Sequence, residues 1–326
     1  MGKMKEEKKV CKEKFKPSFE EKYKKMRVIS WALASVLAVV IGLFAYSLYF
    51  NWNYWVFKVL IAGNYIYTDT LDEIYKEQIN VETQNYFNNF DDVVISIVSN
   101  KISSTGEDHY TYLYTPPQYI ASEEATEAKA KEAEIKEMNA NTVYLRIPNV
   151  SEQTKDFVIE NKERLNQYKN LIIDLQDNYG GDLNSLYDIA DLFLPKGAII
   201  ATEQAKSRLF TRTIKSKHAQ YFNFDKIVFL QNGGTASASE CFINALKENL
   251  SNVSTVGSVS FGKGIGQVTL KVKSGYAIKA TVIQVLTPNG NSIHKTGVIP
   301  DVSYTADDSD SGYQTAEFAC THFELN

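Results

Sequence analysis

An α/β core is predicted for this chain by three observations. From residue 142 onward, short apolar runs rich in β-branched residues alternate with segments of helical period. The run Leu171-Ile172-Ile173-Asp174-Leu175 leads into the paired glycines Gly180-Gly181. The run Lys226–Gln231 feeds a serine-rich turn that opens directly into a helix. Strands that alternate with helices bury their apolar faces best as a sheet covered by helices.

The elements follow in order. Thr142–Ile147 reads as a strand, and Thr154–Leu165 as a helix with Phe157, Val158 and Leu165 turned inward. Leu171–Leu175 reads as a buried strand. Leu183–Leu194 is a second helix, stopped by Pro195-Lys196-Gly197. Lys226–Gln231 is the next strand, and Cys241, Phe242, Ala245 and Leu246 mark the helix after it. Val268–Val272 and Tyr276–Val285 form a hairpin around Lys273-Ser274-Gly275, with Ala277–Ile283 alternating as a strand should. Ahead of the core, residues 54–100 carry helical patterns, among them Leu71, Ile74, Tyr75 and Ile79.

Charge is distributed unevenly. Residues 1–27 hold eleven Lys or Arg against five Glu, a balance of +6, so the rest of the chain carries −10 within a net charge of −4. A basic tail on an acidic body is not a nucleic-acid pattern and predicts no nucleic-acid partner. The basic part belongs beside a membrane, because Val28–Phe57 contains no charged residue and Val28–Phe50 is long enough to span a bilayer at about 20 residues. Trp31, Trp52, Tyr54 and Trp55 suit the two interfaces, and the excess of Lys and Arg before the span predicts a cytoplasmic N-terminus. An uncleaved anchor is the reading adopted; the alternative is a signal peptide with Ala45-Tyr46-Ser47 as a weak cleavage site.

Cys11 falls on the cytoplasmic side, Cys241 reads as a small buried apolar residue, and a Cys241–Cys320 bridge is conceivable outside the cytoplasm without any support from the spacing. His109, His218, His294 and His322 are scattered, so no metal site is predicted and no cofactor is called for.

The chemistry concentrates in two segments. Gly234-Thr235-Ala236-Ser237-Ala238-Ser239-Glu240 presents a serine at a turn into a helix. Phe261-Gly262-Lys263-Gly264-Ile265-Gly266-Gln267 presents a lysine on a glycine-rich turn with a glutamine four residues on. A serine hydroxyl is a poor nucleophile until a base takes its proton. A lysine can be that base only when burial lowers its pKa by roughly three units from about 10.4. Gln267 could orient the amine. Taken singly these residues have ordinary uses: Ser237-Ala238-Ser239-Glu240 also fits a helix capping box, Lys263 a solvated turn and Gln267 an exposed strand.

The ordered motifs together resemble the C-terminal processing peptidases, also called tail-specific proteases. Asp174-Leu175-Gln176-Asp177-Asn178-Tyr179-Gly180-Gly181 is similar to the family's D-L-R-x-N-x-G-G. Thr235–Glu240 is similar to S-A-S-A-S-E, Phe261–Gln267 to F-G-K-G-x-x-Q, and Leu286–Ile293 with Gly297–Asp301 to L-T-P-x-G-x-x-I and G-I-x-P-D. Asp108-His109-Tyr110-Thr111-Tyr112-Leu113 is similar to the D-P-Y segment that closes the family's N-terminal helical region. The resemblance implies a crotonase-like or ClpP-like spiral core. It implies Ser237 as nucleophile, Lys263 as base and Gln267 as its orienter. The implied oxyanion hole is built from the backbone N–H of Ala238 with Gly180 or Gly181. Gln176 and Tyr179 depart from the family's arginine and proline, and neither supplies reacting atoms.

A PDZ domain is expected in the usual family layout between the D-P-Y segment and the core, but Tyr119–Asn141 is too short to hold one. The tract Ser122–Met138 reads instead as a solvated helical linker, with Glu127–Lys131 and Glu132–Lys136 as i, i+4 pairs, or as a lid over the cleft. The expected organisation is a basic tail at 1–27, a transmembrane anchor at 28–50, a helical region at 51–115, a charged helical linker at 116–141, a peptidase core at 142–305 and a C-terminal tail at 306–326. The expected function is a membrane-anchored extracytoplasmic serine endopeptidase acting on protein or peptide substrates, with any substrate docking domain supplied by a partner. Two other classes compete: a catalytically silent peptide-binding scaffold on the same fold, and a hydrolase pairing Ser237 with a histidine.

Overall fold

The computed structural model describes residues 18–67, 102, 106, 108–272, 275–306 and 312–326. The helical pattern at Leu71–Ile79, the loop residues Lys273 and Ser274, and Cys11 lie outside the described residues. The chain divides into two compact units, residues 1–52 and 53–326.

The described part of the first unit is dominated by one long helix, α1 (Phe19–Phe50). Ser18 starts it: the Glu21 N–H donates to Ser18 Oγ at 3.3 Å, and the Ser18 N–H donates back to Glu21 Oε2 at 3.1 Å. Thirty-two residues at about 1.5 Å each give about 48 Å. Its apolar side chains are exposed all round, and the helix is long and apolar enough to cross a membrane.

The second unit holds two sheets. In the larger, β3 (Thr142–Arg146), β4 (Asn170–Asp174), β7 (Lys226–Gln231) and β8 (Val253–Gly257) run parallel, with Val143 opposite Leu171, Leu171 opposite Ile227, and Ile227 opposite Val253. A short strand, β11 (Val302–Ser303), extends it beyond β8. On the other edge β2 (Glu134–Asn139) pairs antiparallel with β3.

Alternate residues of each strand serve opposite faces. Val143, Leu171, Ile173, Ile227 and Phe229 enter the main core with helices α4 (Glu152–Glu160), α6 (Leu183–Asp191) and α7 (Ala238–Lys247). Tyr144, Ile172, Val228 and Leu230 face the other way, where α8 (Tyr313–His322) covers them. Cys241 belongs to the first cluster and Cys320 packs on the second. Both thiols are free, on opposite faces of the sheet, so the conceivable bridge is not formed.

The smaller sheet is organised by β10 (Ala277–Leu286). Along one edge it pairs with β9 (Ile265–Lys271); along the other it pairs first with β1 (Tyr112–Tyr114) and then with β5 (Ile199–Ala205), which continues to β6 (Arg212–Lys215). Ile61, Tyr65, Ile278, Ala280 and Val282 form its separate core. Ile61 and Tyr65 come from a segment that runs from α2 (Trp52–Phe57) through a π-helical stretch, Lys58–Asn64.

Two expectations need correction. The helix expected at Thr154–Leu165 breaks at Asn161 into α4 and a single turn, α5 (Lys162–Leu165), because Asn161 leaves helical geometry and its side-chain amide donates to Phe157 O at 2.8 Å. The charged linker is helical only in α3 (Pro116–Ala130); Glu134–Asn139 is strand β2, so Glu132–Lys136 is not a helical pair. Sheet pairing outweighs the few tenths of a kcal/mol such a pair contributes, and β2 places Ile135 and Met138 on the two core faces.

Candidate active site

Ser237 follows β7 at the end of a tightly bonded turn. Asn232 Oδ1 accepts the N–H groups of Gly234 at 2.9 Å and Asp177 at 3.0 Å. Thr235 Oγ1 donates to Leu175 O at 2.8 Å, and the Ala236 N–H donates to Asn178 O at 2.9 Å. The turn is thus bonded to the paired-glycine loop, which extends from β4. Ser237 itself has φ 58° and ψ −117°, a conformation that costs a non-glycine residue roughly 1–3 kcal/mol. Its neighbour Ala238 begins α7, so the hydroxyl stands at a helix N-terminus.

The paired-glycine loop is shaped by Asn178, which is fully buried. Its amide donates to Ile147 O at 2.7 Å, and its Oδ1 accepts the Gly180 N–H at 2.9 Å. Gly180 has φ +92°, and a Cβ there would lie 2.8 Å from Ser237 Cβ and 2.9 Å from Ala238 N. Glycine is therefore required by both conformation and contact. Of the three expected oxyanion donors, the Gly180 N–H is already spent on Asn178. The N–H groups of Gly181 and Ala238 take no acceptor among the described residues.

Lys263 lies on the loop between β8 and β9. The Phe261 N–H donates to Thr235 O at 2.9 Å, which ties this loop to the serine turn. A stronger tie comes from Glu240, whose carboxylate is fully buried. Oε1 accepts from Ser260 Oγ at 2.5 Å and from the Gly262 N–H at 2.7 Å; Oε2 accepts the N–H groups of Ser237 and Lys263, both at 2.8 Å.

The Lys263 ammonium sits 4.5 Å from the centroid of the Tyr110 ring. Its pKa is pushed down to about 8, first by burial and then by the charge of Lys279; Asp108 and Glu240 pull the other way. At pH 7 that shift leaves roughly 300 times more free amine than an unperturbed lysine would have. Ser237 and Lys263 line a common cleft of about 810 Å³ with Gly180, Gly181, Gln267 and Thr126 of α3. A small recess beside Ser237 and Lys263 is lined mainly by apolar groups, Leu183, Cys241, Val285 and Ile293 among them.

Gln267, expected to orient Lys263, donates its amide to Thr281 Oγ1 at 3.4 Å. No histidine lines the cleft or the recess among the described residues. His294 Nε2 is bonded to Tyr67 Oη at 3.3 Å, with its pKa lowered chiefly by burial, and the His218 ring pairs with Asp191. The sequence reading missed the part played by Glu240, Asp108, Tyr110 and Lys279. Glu240 was visible only as the last residue of a capping box, and Asp108 and Tyr110 only as a motif that closes a helical region.

Residues 141–304 match the family model of peptidase family S41. Over 154 residues the chain is 36% identical to a protein of Staphylococcus aureus (strain N315) described as a probable CtpA-like serine protease, a match covering 47% of this chain and 30% of that protein. A protein of the same description from Staphylococcus epidermidis is 36% identical over 156 residues, covering 48% of this chain and 31% of that one. The chain thus matches about a third of the length of these curated relatives. Among solved structures, a lipoprotein from Streptococcus agalactiae aligns with a TM-score of 0.58 at 17% identity, over 79% of this chain and 92% of that one. A putative peptidase from Parabacteroides merdae aligns with a TM-score of 0.53 at 17% identity, over 81% and 92% respectively. These two likenesses concern the fold.

Proposed function

Because the chain belongs to peptidase family S41, we propose that it is a serine endopeptidase in which Ser237 attacks a peptide carbonyl and Lys263 carries the proton. The observation that carries this reading is a half-buried lysine that lines the same cleft as Ser237, with its pKa brought down to about 8. Neutral Lys263 accepts the Ser237 proton as Oγ bonds to the carbonyl carbon. The N–H groups of Ala238 and Gly181 receive the oxyanion, aided by the N-terminus of α7. The Lys263 ammonium then returns the proton to the departing amine. An acyl-enzyme remains, and water, activated by the same lysine, hydrolyses it. Gln267 acts from β9 as an orienting group held by Thr281.

The silent-scaffold reading is disfavoured by the intact serine and lysine with a depressed pKa. The serine–histidine reading is disfavoured by the Tyr67 bond of His294 and by cleft walls that hold no described histidine. Residues 28–50 within α1 serve as the membrane anchor, with the N-terminus cytoplasmic and the peptidase outside. Protein or peptide chains are the substrates. Residues 116–139 form α3 and β2 where the usual family layout carries a PDZ domain, so selection falls to the cleft, to α3, or to a partner with a docking domain.

The test is a fluorophosphonate probe applied to the full chain in detergent, with the label mapped by mass spectrometry. Label on Ser237, absent from a folded Ser237→Ala variant, supports the enzyme. Label confined to another serine would move the nucleophile there and overturn the Ser237 assignment, and none after exhaustive reaction of folded protein favours the scaffold.

A further inference from the structure

Asp108 is a fully buried carboxylate that borders the site without lining the cleft. Of the three groups it binds, one belongs to the residue whose ring meets Lys263 and one accepts from Gln267. Its Oδ1 accepts the Tyr110 N–H at 2.9 Å and the Thr281 hydroxyl at 3.1 Å, and its Oδ2 accepts the Thr111 hydroxyl at 2.6 Å. The Tyr110 ring lies under the Lys263 ammonium. Thr281 Oγ1, while donating to Asp108, accepts the Gln267 amide. The Thr281 N–H donates to Thr111 Oγ1 at 3.0 Å, which locks the segment 108–111 onto β10.

We infer that Asp108 is a positioning residue: one buried carboxylate that holds the Tyr110 ring against the Lys263 ammonium and, through Thr281, fixes Gln267 in the cleft wall. The inference rests on Lys263 being the base for Ser237. It also gives Gln267 a different anchor from the one the sequence implies, since its amide is restrained through a threonine and a carboxylate.

The charges around Lys263 make the role measurable. Lys279 on β10 disfavours its ammonium, whereas Asp108 and Glu240 on α7 favour it. The Tyr110 ring attracts it through its π face. The Glu240 carboxylate already accepts four donors, and the same Asp108 charge also reaches His294. Neutralising Asp108 removes one of the two favourable charges, so Lys263 should lose its proton at lower pH. At the same time one carboxylate oxygen that accepts from Tyr110, Thr111 or Thr281 becomes an NH2 donor, which loosens Tyr110 directly and Gln267 through Thr281.

The experiment measures the rate of Ser237 labelling by a fluorophosphonate between pH 5 and 10, in full-length protein in detergent, with melting as a control. Asp108→Asn should lower the plateau rate about tenfold and move the midpoint to lower pH. A merely structural role predicts lower melting with an unmoved midpoint, and that result would overturn the inference. If Asp108→Asn does not fold, Tyr110→Leu decides, because it keeps the backbone N–H that Asp108 accepts. A several-fold loss of labelling with normal melting supports the inference, and wild-type labelling removes it. If the wild-type rate has no pH-dependent rise, the base assignment fails and this inference with it. A normal wild-type rise with an Asp108→Asn profile that matches it overturns this inference alone.

Discussion

The backbone N–H groups of Ser237 and Lys263 donate to the same oxygen, Oε2 of Glu240, each at 2.8 Å. The residue at the strained turn and the residue on the glycine-rich loop are thus held to one point by a group that lines neither the cleft nor the recess. Glu240→Gln keeps the size but puts an NH2 where two N–H donors now converge. Buried donors left without acceptors cost about 1–3 kcal/mol each, so with two such donors this variant should lose about 2 to 6 kcal/mol of stability. Its kcat/KM should fall by at least about a hundredfold even in the folded fraction. Chemical denaturation beside a peptidase assay checks both, and near-normal activity in Glu240→Gln would show that the clamp is dispensable.

Lys263→Arg should inactivate almost as fully as Lys263→Ala. Arginine keeps the charge but does not deprotonate in the accessible range, so it cannot accept the Ser237 proton. The sign of the pH dependence follows from the lowered pKa. In the proposed mechanism the neutral amine is the active form, so kcat/KM should rise with pH through about 8. Gln267→Ala should be milder, because it removes a group held at Thr281 and leaves the base in place. Substantial turnover by Lys263→Arg would count against lysine as the base.

Much of the core was legible because its strands are buried on both faces and read as continuous apolar runs, as at Leu171–Ile173 and Val228–Leu230. The serine and lysine were legible because glycines and a helix start surround them. What could not be read depended on partners distant in sequence. β2 looks helical by composition and becomes a strand only because β3 offers it an edge. The β5–β6 hairpin has mixed polar residues and is fixed by its pairing with β10. Glu240 is a helix cap locally; its other three donors arrive from residues 260–263. The choice between Gly180 and Gly181 as oxyanion donor was not legible either: the Gly180 N–H is bonded to Asn178, two residues earlier, a contact that only the folded loop makes.

The anchor reading predicts a definite topology. With eleven Lys or Arg before the apolar span, protease shaving of intact cells should remove the peptidase body and spare the tail. N-terminal sequencing of the mature protein should recover residues ahead of Val28. A mature terminus near Tyr46 or Ser47 would instead establish a cleaved signal peptide.

Substrate choice should depend little on the substrate's C-terminus. Between β1 and β3 the chain forms only α3 and β2, and α3 contributes Thr126 to the cleft wall. Matched peptides that differ in their last three residues should be cleaved with similar kcat/KM. A difference above about a hundredfold, roughly 2.7 kcal/mol, would reveal a tail-reading pocket.

Gly180→Ala should be a severely damaging single-methyl change in the site. The added Cβ would meet Ala236 O at 2.7 Å, Ser237 Cβ at 2.8 Å and Ala238 N at 2.9 Å. Two of these are backbone atoms of the serine turn, which cannot swing aside as a flexible side chain would. A φ of +92° adds strain for any residue with a Cβ. Either the paired-glycine loop or the turn at Ser237 must shift, and each carries one of the two unbonded N–H groups, Gly181 or Ala238. Movement by a few tenths of an ångström would misaim a proposed oxyanion donor, and loss of such a donor typically lowers kcat by about 100- to 1000-fold. The loss should appear in kcat more than in KM, because the donors meet a charge that develops only during reaction. A Gly180→Ala protein with normal melting and normal kcat would mean that the two loops move apart freely, and that the oxyanion is bound elsewhere.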